Sequence, residues 1–365
     1  MDKIILSGLT QEDFEKIADD LKASKFRARQ IHNWIYLKSV KSIDEMTDLS
    51  KDFREQLSQI AQVSDVKIKT KQTSEDGTIK YLIEYPDRNC VETVLMRFDN
   101  RANLTACVSS QVGCSVNCAF CATGKRGFVR NLSAAEIVEQ VLTIQRDTGL
   151  KVTNVVFMGQ GEPLLNLDNV LKSLDIFNKD FQIGARRITI STSGIIPQIN
   201  KLAELDMQST LALSLHAPVS DVRKQIMPIE NKYPLHELKK ALKNYTDKTG
   251  RRITIEYVLI KDLTDTIEMA NKTANFLKDI KCNINLIPYN PITTSSPLAG
   301  EEIFQREERA LEKLVRGKTF EKPSNNAVMK FKYILEHSGK KVTIRLERGA
   351  DIDAACGQLN GGNRK

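Results

Sequence analysis

The sequence predicts an α/β protein: a partial (β/α)6 barrel preceded by a small N-terminal helical domain. Two observations carry the prediction. From residue 104 onward, apolar β-rich runs alternate with helical patterns, as parallel βα units do. Residues 9–61 instead carry their apolar residues at helical spacing.

The helical stretch comprises "EDFEKIADDL", "ARQIHNWIYL" and "KDFREQLSQIAQ", which gives an expected first domain over residues 1–65. Next come "VKIKTKQT" and "TIKYLIEYP", two β-like runs either side of the turn signal "EDG", read as a small β linker over 66–100. The barrel is expected over 101–350. Its six strands are "LTACVSS", "NVVFMG", "RRITISTSG", "STLALSLHA", "RITIEYVLI" and "CNINLIPYN". Between the first two, "SAAEIVEQVLTIQRD" opens with Ser133 and Glu136 at capping-box spacing and continues as an amphipathic helix. A seventh run, "KKVTIRLE", follows much later. Between them, about 292–338, lies an extra segment with a polar loop "TTSSPLAGEE", the charged helical pattern "FQREERALEKLVRGK" and a further helix "NNAVMKFKYILEHS". Residues 351–365 form a tail. The chain has no internal repeat at solenoid periods.

Composition narrows the class. The 365 residues are 41% hydrophobic, enough for a large core and two or three domains. No apolar run approaches the roughly 18 residues of a membrane span, and the start "MDKIILSGLTQEDFEK" lacks signal-peptide features, so the expected location is the cytoplasm. The net charge is +8, but residues 1–100 hold 16 Lys and Arg against 18 Asp and Glu, so the basic excess lies beyond them. Such a surface suits a polyanion such as RNA, or is simply solvated.

Seven cysteines are present, and three of them, Cys114, Cys118 and Cys121, fall within "GCSVNCAFC". The spacing CxxxCxxC lets three thiolates converge on one loop, as iron–sulfur and zinc sites require. A zinc site would need a fourth, distant ligand. The loop follows the first predicted strand, which puts it at the C-terminal mouth of a barrel, where such folds do their chemistry. After the second strand comes "GQGEPL": glycines that let a ligand approach the backbone, and Glu162, a carboxylate suited to an ammonium group.

Together these features resemble the radical S-adenosylmethionine superfamily, in which a CxxxCxxC loop holds a [4Fe-4S] cluster by three irons. In that superfamily the amino and carboxylate groups of S-adenosylmethionine take the fourth iron, and electron transfer to the bound sulfonium yields a 5′-deoxyadenosyl radical. The absent fourth ligand thereby becomes a cofactor site.

Further motifs narrow the resemblance. "CVSSQVGCSVNCAFCATGKRGFVRNL", "GEPLLN", "STSG", "SLHAP", "NLIPYNP" and "DIDAACGQL", in this order and with "FRARQIHNWIY" near the start, are similar to the RlmN family of dual-specificity RNA methyltransferases over nearly the whole chain. The family mechanism answers a chemical obstacle, since carbon 2 of adenine is too electron-poor for ordinary methyl transfer. The resemblance implies two S-adenosylmethionine molecules per turnover. One methylates a cysteine, matched by Cys356; the other supplies the radical that converts this methyl to a methylene radical, which adds to the base. Cys107 matches the thiol that resolves the adduct as a disulfide, and Glu92 matches the proton acceptor. From the residues alone, Cys107 is equally a buried strand cysteine and Glu92 a solvent-facing strand carboxylate.

The same resemblance maps cofactor contacts onto Gly161, Glu162, Ser191, Ser214, Leu215, His216 and Asn290, each at or near the end of a predicted strand. It implies 23S rRNA and tRNA substrates, recognised with help from the N-terminal domain, and an electron donor whose identity the sequence leaves open. The expected state is a monomer. Arg126, Arg130, Arg186 and Arg187 are candidates for phosphate binding near the mouth; Cys90 and Cys282 are expected to be structural. The nearest rival is the Cfr-like branch, which methylates carbon 8 of adenine, though Pro163 in "GEPLLN" and Ser193 in "STSG" look more like RlmN. A rival of another class is a non-catalytic RNA-binding protein with structural zinc.

Overall fold

Three amphipathic helices open the chain, and each begins where a polar residue with extended backbone precedes an apolar periodicity. They are α1 (Gln11–Asp20), α2 (Lys25–Tyr36) and α3 (Lys51–Ile60). Thr10 and Asp13 close a capping box on α1, and the Ser50 side chain accepts the Phe53 N–H of α3. Two short strands, β1 (Ile4–Ile5) and β2 (Ala61–Gln62), pair in parallel and bring both ends of this unit together. The computed structural model describes residues 3–98, 101–292 and 320–361.

The main sheet has ten strands. An antiparallel meander of β3 (Lys67–Thr73), β4 (Ile79–Glu84) and β5 (Cys90–Phe98) joins β6 (Arg101–Cys107). The runs read from the sequence as a separate small sheet are therefore hydrogen-bonded into the sheet of the barrel. After β6 come a short hairpin, β7 (Gln111–Gly113) with β8 (Phe128–Asn131), and the one-turn helix α4 (Ala122–Lys125) inside it.

The βα alternation then begins. Helix α5 (Ala134–Thr148) leads to β9 (Asn154–Phe157), α6 (Leu167–Lys179) to β10 (Ile188–Thr192), and α7 (Ile196–Ala203) to β11 (Thr210–Ser214). Helices α8 (Ser220–Ile226) and α9 (Leu235–Thr249) precede β12 (Ile253–Leu259), α10 (Ile267–Phe276) precedes β13 (Cys282–Pro288), and α11 (Asn325–His337) precedes β14 (Lys341–Ile344). Strands β6 and β9 to β14 are all parallel, so the six expected barrel strands are present and the seventh run extends the same edge. The Ser133–Glu136 capping box forms as the sequence implies, with donor–acceptor distances of 2.8 and 3.2 Å. Of the extra segment over 292–338, the helix at its end is α11; "TTSSPLAGEE" and "FQREERALEKLVRGK" lie outside the described residues.

The N-terminal helices dock on the outer helical layer. Tyr36 stacks near Phe181, His32 Nε2 lies 2.7 Å from Asp180 Oδ1, and Arg146 Nε donates to the Val40 carbonyl at 3.0 Å. One apolar core runs through both units. Among the described residues no helix is long and apolar enough to cross a membrane.

Candidate active site

Parallel strands all end on the same side, so whatever follows each strand meets at one mouth. A cavity there encloses about 960 Å³, part of it open to solvent. Its wall is built from successive strand ends: Met158, Gly159, Gly161 and Glu162 after β9, Ser191 to Ser193 at β10, Ser214 and His216 at β11, Tyr289 and Asn290 after β13, and Arg345 after β14. Cys114, Cys118 and Cys121 line it from the loop between β7 and α4, and Cys356 lines it from the C-terminal tail.

The cysteine loop is held by backbone bonds. Cys114 N–H reaches the Gly127 carbonyl at 2.8 Å, Cys121 N–H the Cys118 carbonyl at 3.1 Å, and Ala119 N–H the Ile226 carbonyl at 2.9 Å. Gly113 has φ +73, and a Cβ there would fall 1.8 Å from the Gly127 carbonyl oxygen, so only glycine closes this hairpin. Burial pushes the Cys114 thiol up to about 12 and the Cys118 thiol well above its ordinary value. Thiolates here therefore need a bound positive charge, which a metal cluster supplies. Among the described residues no three Cys, His or carboxylate side chains converge on the position of a single ion. The three thiols instead border one lobe of a cavity, an arrangement that suits a cluster whose irons each take one sulfur.

Glu162 is buried, and burial raises its carboxyl above the usual range against the opposing pull of its hydrogen bonds. Its Oε2 accepts the Ser193 N–H at 2.7 Å and its Oε1 the Leu164 N–H at 3.1 Å. It thus ties the loop after β9 to the end of β10. Each oxygen keeps a second lone pair, so an ammonium group can still be taken. Gly161, with φ +97, owes its identity to the fold itself: a Cβ there would lie 2.5 Å from the Gln111 side chain. Gly161 also borders the cavity, so its backbone stays open to a ligand.

His216 has a left-handed φ of +57 and is buried with its Nδ1 accepting the Val258 N–H at 3.0 Å. Its ring stands edge-on to Phe120, 4.8 Å between centroids. Burial, helped by Arg223, lowers its pKa to about 3, so the ring is neutral and carries its proton on Nε2. Leu215 is fully buried and does not border the cavity; its backbone bonds to β12, N–H to the Glu256 carbonyl at 3.0 Å. The Asn290 side chain donates to the Cys356 carbonyl at 3.3 Å. Among the described residues, Ser193 Oγ and Asn290 Oδ1 on the cavity wall are buried without hydrogen-bond partners, and Glu256 Oε2 has only the Arg345 guanidinium at 3.6 Å. Buried acceptors left this way call for a ligand that brings donors, such as the ammonium and hydroxyl groups of S-adenosylmethionine.

Cys107 and Glu92 lie behind the cavity on the same face of the sheet. Val94 of β5 is opposite Cys107, and Glu92 is two residues before Val94. Cys107 is buried, which pushes its thiol up to about 12, with the Cys356 sulfur adding to the effect. Val94, Cys107 and Leu359 form a small apolar cluster with Ala354 against it, so chain from both sides of Cys356 rests on Cys107. Glu92 is buried at 4% exposure rather than facing solvent. Its Oε2 accepts the Asn360 and Gly361 N–H groups at 2.6 and 2.8 Å.

Four charged residues were not singled out from the sequence. Arg223 is wholly buried, pairs with Glu230 at 2.8 Å, and donates to the Ser193 and Leu215 carbonyls at 2.7 and 3.1 Å. No local signal marks it. Arg345 lies 3.6 Å from Glu256, and the Cys356 sulfur, with Glu256 and Cys107, raises its pKa. Glu256 in "RITIEYVLI" and Lys80 in "TIKYLIEYP" were findable as charges flanked by apolar residues inside strands.

The proposed phosphate contacts need correction. Arg130 forms ion pairs with Asp87 and Glu136 at 2.6 and 2.8 Å. Arg126 donates to the Asn360 carbonyl at 3.0 Å, fastening the tail. Arg186 and Arg187 precede β10 and so lie at the end of the barrel opposite the mouth. Cys90 and Cys282 are buried away from the cavity.

Comparison with known proteins agrees with this geometry. Residues 108–277 match the family model described as the radical SAM superfamily, and residues 4–63 match the ribosomal RNA large subunit methyltransferase N-terminal domain. The chain is 43% identical to a probable dual-specificity RNA methyltransferase RlmN from Alkaliphilus oremlandii, covering 98% of each chain. It is 42% identical to the dual-specificity RNA methyltransferase RlmN of Pseudomonas putida, over 98% of this chain and 90% of that one. The solved structure of a radical SAM methyltransferase from Sphaerobacter thermophilus superposes with a TM-score of 0.87 at 38% identity, over 98% of this chain and 100% of the other.

Proposed function

Because the chain belongs to the RlmN family of radical S-adenosylmethionine RNA methyltransferases, we propose that it methylates carbon 2 of one adenosine in 23S rRNA and of an adenosine in the anticodon loop of tRNAs. One observation carries the reading: Cys356, from the far end of the chain, lines the same cavity as the three loop thiols and lies electrostatically coupled to Cys107.

The bound [4Fe-4S] cluster and S-adenosylmethionine supply an electron and a hydrogen-abstracting radical. Cys114, Cys118 and Cys121 hold the cluster. Glu162 and the end of β10 orient the amino acid moiety of the cofactor, with Ser191, Ser214, His216 and Asn290 along its length and Leu215 acting through its backbone. Cys356 receives a methyl group and presents it to the base, so two cofactor molecules are consumed per turnover. Glu92 takes the proton leaving carbon 2, and Cys107 attacks the Cys356 sulfur. With the adduct's unpaired electron returned to the cluster that would have supplied it, the bond from that sulfur to the methylene carbon breaks, its electron pair stays with the carbon and takes up a proton to complete the methyl group, and a disulfide is left for an external reductant. A target base must be unpaired or extruded to enter so enclosed a site. The enzyme acts as a monomer.

The test is mass spectrometry of nucleosides from RNA treated with the anaerobically purified enzyme, together with the intact mass of that enzyme. 2-Methyladenosine and a methyl group on Cys356 are expected; 8-methyladenosine, or a Cys356 never methylated, overturns the proposal.

A further inference from the structure

Cys356 has to hold one position to be methylated, to reach the base and to meet Cys107, yet it sits in a tail with little regular structure. What fixes the tail is therefore part of the catalytic geometry. The last regular element before it is a single 3-10 turn, Ala350–Ile352, which ends at Asp353 in a left-handed conformation, φ +49.

Lys80 is the centre of the arrangement. It lies on β4, opposite Val94 of β5, which in turn faces Cys107 of β6, so the three side chains share one face of the sheet. Its side chain is 8% exposed. The ammonium lies 3.1 Å from Glu92 Oε1 and donates to the Asp353 carbonyl at 3.2 Å. Through Glu92, whose other oxygen accepts the Asn360 and Gly361 N–H groups, the same ion pair reaches the chain beyond Cys356. The buried pair thus grips the tail three residues before Cys356 and again four and five residues after it.

We infer that Lys80 is a positioning residue: with Glu92 it forms a two-point clamp that holds the Cys356 loop against Cys107. A buried lysine on a mostly apolar strand is costly unless its ammonium is paired and hydrogen-bonded. Here the bonds go to a backbone carbonyl and to the carboxylate that takes two backbone N–H groups, so ordering of the tail is what they secure. The cluster loop adds a third attachment, since Ala122 N–H bonds to the Gly357 carbonyl at 2.7 Å and Thr123 Oγ1 donates to the Leu359 carbonyl at 2.6 Å. Loss of Lys80 alone should loosen the tail without detaching it. The importance of the clamp for catalysis rests on the reading that Cys356 carries the methyl group; its mechanical role does not.

The test is hydrogen exchange by mass spectrometry on the anaerobically purified full-length holoenzyme, comparing wild type, Lys80→Met and Lys80→Met/Glu92→Gln. The double variant avoids leaving a buried carboxylate unpaired and is the one to read if the single variant exchanges throughout. Amides of residues 353–361 are expected to exchange roughly tenfold faster or more, with β9 to β11 unchanged. Turnover of Lys80→Met should fall while KM for RNA stays constant. Tail exchange within about twofold of wild type in a folded variant would overturn the clamp. A wild-type enzyme without a methyl group on Cys356 would instead sink the functional reading and leave the exchange result standing.

Discussion

Replacing Glu230 by Gln tests how the strand ends at the mouth are held. Arg223 and Glu230 are both fully inaccessible and 2.8 Å apart. Glu230 Oε1 also accepts the Ser220 hydroxyl at 2.7 Å and the Leu235 N–H at 2.9 Å, roles that the glutamine carbonyl can keep. What the substitution removes is the countercharge to a guanidinium that burial already pushes below its usual pKa. Stranding a buried charge in this way costs about 3–5 kcal/mol, a large part of an ordinary domain's stability. The loss should appear as a lower urea midpoint with an unchanged slope. Because Arg223 joins the Ser193 and Leu215 carbonyls, ends of neighbouring strands, S-adenosylmethionine affinity by calorimetry should fall as well. The double replacement Arg223→Met/Glu230→Gln removes both charges while keeping an acceptor for Ser220 and Leu235, and should cost less than Glu230→Gln, offset by the carbonyls left without the Arg223 donor. A Glu230→Gln protein within about 1 kcal/mol of wild type, binding cofactor normally, would refute the reasoning.

Further outcomes follow from other parts of the site. Cys107→Ala should accumulate protein covalently joined to RNA on denaturing gels and Cys356→Ala should not; identical behaviour would remove the resolving role. Glu162→Gln should weaken S-adenosylmethionine binding to the reconstituted enzyme roughly tenfold or more, as expected for losing a charged hydrogen-bond partner of an ammonium group; calorimetry measures it. For His216 the folded pKa of about 3 lies below the ordinary imidazole value of 6.5, so the unfolded chain binds the proton first. Its neutral burial is stabilising above pH 6.5, and that contribution falls by up to about 1.4 kcal/mol per pH unit as pH drops from there toward 3. His216→Gln should flatten the acid limb of a stability–pH curve measured by urea titration. Gly161→Ala should cost stability and cofactor affinity together, because the added methyl meets Gln111 at 2.5 Å.

Much of this site could be read from the chain as a string of letters. The three loop thiols are eight residues end to end, and Glu162 with the glycines before it follows a predicted strand, so these were legible from local pattern; Ser191, Ser214, His216 and Asn290 came from the family resemblance. Each is near a strand end, and parallel pairing brings strand ends together whatever lies between. Burial was harder to anticipate: Glu92 reads as a surface residue on an alternating strand, yet its face is covered by the tail. Arg186 and Arg187 stand close in sequence to a mouth residue, Ser191, but they precede β10 and Ser191 is near its far end, so the strand puts them at the opposite end of the barrel.

The sequence by itself determined the order of strands and helices, the spacing of the cluster ligands and the family to which they belong. Only the tertiary structure decided which distant residues hold that loop and tail in register: Lys80 with Asp353 and Glu92, Arg223 with Ser193 and Leu215, Arg345 beside Cys356 and Glu256. The physical reason is the range of the interactions. Backbone periodicity, turns and ligand spacing are encoded over a few residues, whereas the partner of a buried charge is chosen by which elements the fold packs around it, and no short window of the chain contains both halves of such a pair.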